Sequence, residues 1–188
     1  MKKRIIIAIT GASGAIYGIR LLEAMRRDKN IETHLIISKA AHITLAEETG
    51  YSIKDVEKLA DFTHKITDMA ASISSGSFKT DGMIVAPCSM KSLAEIATGL
   101  SLTLISRAAD VILKEKRKLV LMVRETPFSS IHLNHMKNLS DMGAFIAPPL
   151  PAFYNKPKTL DDIINHSVGR VLDIFEIDNK LARRWKDK

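Results

Sequence analysis

Cysteine is almost missing from this chain. Cys88 is the only one in 188 residues, so an internal disulfide is excluded and a reducing compartment is permitted. A lone thiol in an apolar stretch reads as core rather than nucleophile. Aromatic residues amount to only 5%, and the basic residues are not interleaved with them, which argues against a nucleic-acid surface built on base stacking. No run approaches the ~18 apolar residues of a membrane span. Lys2, Lys3 and Arg4 followed by the apolar residues 5–9 imitate a secretion signal. The run breaks at residues 10–14, however, Arg20 and Glu23 follow, and no convincing cleavage site is present. A cytoplasmic protein without a membrane partner is expected. Repeats, low-complexity tracts and linkers are absent too, so residues 1–188 are expected to form one domain. A hydrophobic content of 46% supplies its core.

What is present is a modest basic excess, formally +7, compatible with acidic small ligands, nucleic acid or plain solubility. Short apolar runs alternate with segments of helical period. Residues 5–9 are β-branched with no polar alternation, as in a strand buried on both faces. Further strands are expected at 33–38, 82–87, 118–123 and 144–148. Helices are expected at 13–27, 40–49, 89–97 and 103–114, with Ser52 and Asp55 opening a short one that ends near 60. Residues 63–80 show no clear period. Ser129 opens a helix stopped by Gly143, and Thr159 with Asp162 opens the last. That helix carries Leu160, Ile163, Ile164, Val168, Val171, Leu172 and Phe175 on one face. The alternation predicts an α/β fold with a mainly parallel sheet and helices on both faces.

Open parallel sheets bind ligands outside the carboxyl ends of their strands. The unusual polar residues fall there: Gly11, Ala12, Ser13 and Gly14; Ser38; Ser89, Met90, Lys91 and Ser92 after Cys88; Arg124 and Glu125; and the Pro-rich stretch reaching Tyr154. Five such termini favour one shared pocket. "TGASGAIYG" lacks the Gly-Lys-Ser/Thr of a P-loop and is not G-x-G-x-x-G. Ser38 stands where an acidic ribose ligand is expected. ATP and NAD are disfavoured, and a mononucleotide phosphate fits better. An ordinary strand–helix turn with Ser13 as cap fits the same stretch. Arg124 suits bidentate contact with phosphate or a ring carbonyl, and Glu125 suits proton transfer; a mutual salt bridge is the plain alternative. His132 and His135 are three apart without a third ligand, which fits a surface or interface role rather than a metal. His34, His42, His64 and His166 show no constellation, and Lys114 and Arg170 read as charged helix faces.

Together "TGASGAIYG", "ISKAA", "PCSMKSLA", "RAADVILKE", "RKLVLMVRETPFSSIHLNHM" and "PAFYNKP" resemble the flavin prenyltransferase family of the UbiX type, over residues 4–185. The resemblance implies a three-layer Rossmann-like (flavodoxin-like) fold that binds FMN. It implies transfer of a dimethylallyl group from dimethylallyl phosphate to reduced FMN at N5 and C6, without a metal. It further implies a homododecamer, and a UbiD-type decarboxylase that receives the prenylated FMN. By motif, Gly11, Ala12, Ser13, Ser38, Ser89, Met90, Lys91, Ser92 and Arg124 are expected to hold FMN. Tyr154, Arg170, Lys114 and Trp185 are expected at the prenyl phosphate, with Glu48 nearby. Glu125 and Ser13 are expected to move protons, so Glu125, Ser13, Lys114 and Glu48 form the expected catalytic set. The tail from about 176 is expected to pack on the site or on a neighbouring subunit. Two departures stand out: Leu102-Thr103 where relatives carry Asp-Asn, and Val123 in place of a frequent proline. An FMN-dependent cysteine decarboxylase and a non-catalytic flavin carrier are the alternatives.

Overall fold

The computed structural model describes residues 2–182, Arg184 and Trp185. Six strands form one parallel sheet: β1 (Lys3–Ile9), β2 (Ile31–Ile37), β3 (Phe62–His64), β4 (Gly82–Cys88), β5 (Lys118–Val123) and β6 (Phe145–Ile146). Their spatial order is β3-β2-β1-β4-β5-β6. Ile7 of β1 pairs with Leu35 on one side and Ile84 on the other, so the opening apolar run is the centre of the sheet. Successive side chains of a strand face opposite ways. Ile5, Ile7 and Ile9 therefore enter one core layer, and Ile6 and Ala8 the other.

Seven helices cover both faces: α1 (Ala15–Met25), α2 (Lys39–Glu48), α3 (Ile53–Glu57), α4 (Met90–Ala97), α5 (Leu104–Lys114), α6 (Ser130–Asp141) and α7 (Leu160–Ile174). Residues of α1 and α7 fill the Ile5–Ile9 layer, and those of α4 and α5 fill the opposite one. Gly18 sets how near α1 lies to the sheet: a β-carbon there would stand 2.5 Å from the Ala86 carbonyl oxygen. Among the described residues no helix is long and apolar enough to cross a membrane.

Side-chain caps end the helices where their residues were read. Ser52 with Asp55 and Thr159 with Asp162 make reciprocal capping boxes. Thr103, one of the two departures, closes another with Ser106 and so caps α5. Val123, the other, is buried and pairs with Cys88 as the last residue of β5. Three details differ from the sequence reading. β3 lies partly in the stretch without a period, being only three residues at a sheet edge. Leu160 is 72% exposed, so the apolar face of α7 begins a turn later. The cap of α1 is Gly14, in the left-handed region at φ 103°, with no side-chain cap bond; Ser13 is not the cap.

Candidate functional site

The strand order reverses between β1 and β4, which places a crevice at their carboxyl ends. One buried hydroxyl joins the two loops there. Thr10 Oγ1 donates to the Pro87 carbonyl at 2.6 Å and accepts from the Ser89 amide at 2.9 Å. The Ser38 amide donates to the Ile9 carbonyl at 2.9 Å, and the Arg124 amide to the Cys88 carbonyl at 3.1 Å. Four strand ends are thereby laced into a single rim that carries Gly11–Gly14, Ser38, Ser89–Ser92 and Arg124. Thr10 escaped the sequence reading; its signal was a β-branched hydroxyl at the end of an otherwise apolar strand.

Residues 11–14 make a cradle rather than a packed turn. Gly11 lets the start of α2 come close: a β-carbon there would meet the Ala40 β-carbon at 2.4 Å. Among the described residues no hydrogen bond occupies the backbone N–H groups of Gly11, Ala12 and Ser13. The next one, from Gly14, donates to Glu48 Oε2 at 2.7 Å, so a carboxylate already sits at the positive end of α1. Ser38 caps α2 by accepting from the Ala41 amide, and Ser89 caps α4 by accepting from Ser92. Three helix N-termini thus point at one crevice, which suits an anion. Met90 is half-buried beside them and packs on the α4–α5 core layer.

Arg124 is exposed and makes no side-chain hydrogen bond or ion pair among the described residues. The salt bridge with Glu125, the plain alternative reading, is not formed; Glu125 accepts from the adjacent Thr126 amide at 2.9 Å. Lys91 reaches Glu95 at 3.7 Å and remains largely exposed. The thiol of Cys88 is fully buried, and burial pushes its pKa up to about 12, so it is inert core.

A second cluster surrounds α7. Tyr154 meets the His166 ring edge-on, centroids 5.5 Å apart, and Trp185 meets Tyr154 edge-on at 5.2 Å. Arg170, one turn beyond His166, pairs with Asp173 at 3.0 Å. His166, Ser167 and Arg170 line a cavity of about 240 Å³ with Met122, Ala147 and Pro148. Met122 is the penultimate residue of β5, so this cavity lies near the carboxyl end of that strand, after which Arg124 follows. Residues 177–182 return along α7: Asn179 Nδ2 donates to the Gly169 carbonyl at 3.3 Å, and Ile177 and Ala182 are buried. The sequence reading gave His166 no role.

Lys114 does not join either cluster. It ends α5, just before β5 begins, and therefore lies at the amino edge of the sheet. It bonds Glu115 at 2.7 Å and stands beside Gly76. Within this chain Lys114 and Arg124 therefore lie at opposite edges of the sheet. His132 Nδ1 accepts from the Ser129 amide at 3.2 Å and so helps to cap α6. No group of three His, Cys, Asp or Glu able to hold a metal occurs among the described residues.

The flavoprotein family profile matches residues 1–174. A probable UbiX-like flavin prenyltransferase of Escherichia coli O157:H7 is 57% identical over 183 residues, 97% of this chain and 93% of that protein. The chain belongs to the UbiX-type flavin prenyltransferases. Two crystal structures agree with this family throughout their length. AnUbiX (PadA1), in complex with FMN and dimethylallyl pyrophosphate, superposes with a TM-score of 0.97 at 53% identity, covering 100% of both chains. A dodecameric FMN-dependent UbiX-like decarboxylase from E. coli O157:H7 gives 0.96 at 56% identity, covering 98% of this chain and 100% of that one.

Proposed function

We propose that this UbiX-type protein transfers a dimethylallyl group from dimethylallyl phosphate to reduced FMN, joining it at N5 and C6. The observation that carries the reading is the rim at the β1–β4 reversal, where among the described residues three N–H groups are unoccupied and Arg124 is unpaired. A flavin mononucleotide fits these donors: the phosphate suits the cradle at Gly11, Ala12 and Ser13, where a side chain at position 11 would leave no room. Ser38, Ser89, Met90, Lys91 and Ser92 flank the remainder. Arg124 is free to take a ring carbonyl or a phosphate oxygen. Bound reduced FMN supplies the electron-rich ring that receives the prenyl group.

The chain's own residues hold the donor and handle charge. Breaking the allylic C–O bond leaves negative charge on the departing phosphate, which Arg124 and Arg170 offset. Tyr154 donates a hydrogen bond to the same group, and Trp185 covers it. Fixing both reactants against one rim makes the attack effectively intramolecular. Closure at C6 sheds a proton, and Glu125, exposed at the rim and held only by its neighbouring amide, receives it, with Ser13 close to the reacting ring. Glu48 fixes the cradle through Gly14. Lys114 lies at the far edge of its own protomer, so it serves this site only from a neighbouring copy. A homododecamer accommodates that, as does a tail that packs on α7 before reaching Tyr154. The prenylated flavin passes to a UbiD-type decarboxylase, and the protein works in the cytoplasm.

Inorganic phosphate released from dimethylallyl phosphate, measured with and without reduced FMN, tests the reading. Release that depends on reduced FMN is expected; release at the same rate with oxidised or absent FMN contradicts it. Glu125→Gln should lower kcat by roughly 100-fold while FMN affinity is kept. Equal loss of both contradicts the proton role.

A further inference from the structure

We propose that Thr10 is a positioning residue for the flavin, its hydroxyl setting the gap between two halves of the rim: the amide cradle at residues 11–13 and the start of α4 at Ser89. The inference deepens the reading that one FMN spans both halves, and rests on it. The backbone ladder between β1 and β4 ends at Ala8 and Val85. Beyond that pair β4 shifts its register with β5, between Val85 and Cys88, and the two loops continue without a shared ladder. Among the described residues the only hydrogen bonds joining residues 10–14 to residues 87–92 are the two made by the Thr10 hydroxyl. Both have a fixed sense. The Pro87 carbonyl can only accept and the Ser89 amide can only donate, so the hydroxyl proton points at Pro87 and a lone pair faces Ser89.

The side chain is suited to fixing a distance. Thr10 is 1% exposed and Pro87 is buried, so the tie lies out of the solvent's reach. Branching at the β-carbon restricts χ1 and holds the hydroxyl in one direction. Thr10 directly precedes Gly11, which packs against Ala40 on its other side. Ser89 caps α4 by accepting from the Ser92 amide at 3.3 Å, so a shift of Ser89 carries the first turn of α4 with it. A ligand that grips two subsites at once gains over either part alone only where their spacing matches its own span. FMN has a phosphate for one half and a ring for the other; riboflavin, lacking the phosphate, reaches one half. Without the hydroxyl, the Ser89 amide and the Pro87 carbonyl lose their partner and the spacing is no longer set.

Flavin fluorescence titration of the full-length protein with FMN and with riboflavin, alongside its melting temperature, tests this. Thr33→Val is the control. Thr33 is also 1% exposed, and its hydroxyl likewise donates to one group and accepts from another, Asp61 Oδ2 and the Asp61 amide, both at 3.0 Å, but at the loop before β3 rather than at the rim. Thr10→Val should weaken FMN about 10-fold and riboflavin by less than about 2-fold. Thr10→Ser, which keeps the hydroxyl on a freer rotor, should stay within about 3-fold of the parent for FMN. Thr33→Val should lower the melting temperature yet leave both affinities within about 2-fold of the parent. Parental FMN affinity in Thr10→Val, equal weakening of FMN and riboflavin, or the same FMN loss in Thr33→Val overturns the positioning role. Absence of FMN binding by the parent removes the flavin reading, and the proposal with it. Should Thr10→Val not fold, Thr10→Ala is titrated with the same two ligands and read by the same outcomes.

Discussion

The two edges of the sheet use their cations differently. At the amino edge four cations at the starts of β1 and β5 are spoken for. Lys3 Nζ donates to the Phe175 carbonyl at 2.6 Å, and Lys118 Nζ to Ile174 at 2.8 Å and to Glu176 at 2.8 Å. Arg117 donates to the carbonyls of Gly76 and Phe78 at 2.7 and 3.0 Å and to Thr80 at 3.2 Å, and Arg4 pairs with Glu32 at 2.7 Å. At the carboxyl edge Arg124 has no such partner among the described residues, and three loop amides stand open. The same residue type closes loops at one edge and waits for a ligand at the other. A basic count of +7 cannot distinguish the two uses; hydrogen-bond accounting can.

The contrast can be broken by exchanging what each edge is asked to do. The largest effect is expected for Arg124→Met, which should lower kcat/KM for prenyl transfer by about 100- to 1,000-fold with little change in melting temperature. Melting of the fold would place Arg124 among the structural cations. Arg117→Met should do the reverse, costing about 2–4 kcal/mol in urea unfolding as two half-buried carbonyls and the Thr80 hydroxyl lose their donor, with FMN affinity kept in the protein that remains folded. Gly11→Ala is next. The added carbon collides with Ala40, so α2 must move off the cradle, and FMN affinity should fall roughly 10-fold by flavin fluorescence titration. An unchanged affinity would show that the cradle has slack.

The smallest effect concerns acid stability at the β2–β3 border, which shares Glu32 with the amino edge. His34 and His64 bond one another at 3.0 Å, and His34 bonds Glu32 at 3.1 Å. Burial holds both imidazoles below the ordinary His value. Glu32 and Asp61 near His34 and Asp68 near His64 pull the other way, while the Arg4 charge beside His34 adds to the lowering. For Glu32 burial raises the pKa, but the bonds from His34 and Arg4 outweigh it and keep the carboxylate ionised. The unfolded chain takes up protons on these rings near pH 6.5, earlier than the folded one. Their contribution is therefore complete above that pH and declines as the pH falls through it. Melting temperature should drop on acidification below pH 6.5, and His34→Gln should flatten that drop. An identical slope in the variant would assign the acid lability elsewhere.

Legibility in the sequence followed the physics of each element. β5 is read at its observed bounds because a run buried on both faces, bounded by charged turns, has one assignment. The capped helices were readable because Ser52, Ser129 and Thr159 carry their signal in one side chain. β3 was not: three residues at a sheet edge, with Phe62 half-exposed, have no period to detect. The edge that Lys114 faces was not read because a motif gives a residue's company in sequence but not its place on the sheet. The signal was available: in a βα repeat the loop after a strand lies at the carboxyl edge and the loop before the next lies at the amino edge. The stretch "KEKRK" precedes β5 and belongs to the latter. The contacts of His166 with Tyr154 and Asn155 were invisible because those residues reach it across a turn whose path the sequence does not encode.

The rim of open amides and the unpaired Arg124 matter only if a flavin is altered there. Mass spectrometry of the flavin extracted after incubating the protein with reduced FMN and dimethylallyl phosphate measures this directly. The account predicts a flavin heavier by one prenyl unit; unmodified FMN, with an active relative converting the same reagents in parallel, would contradict it.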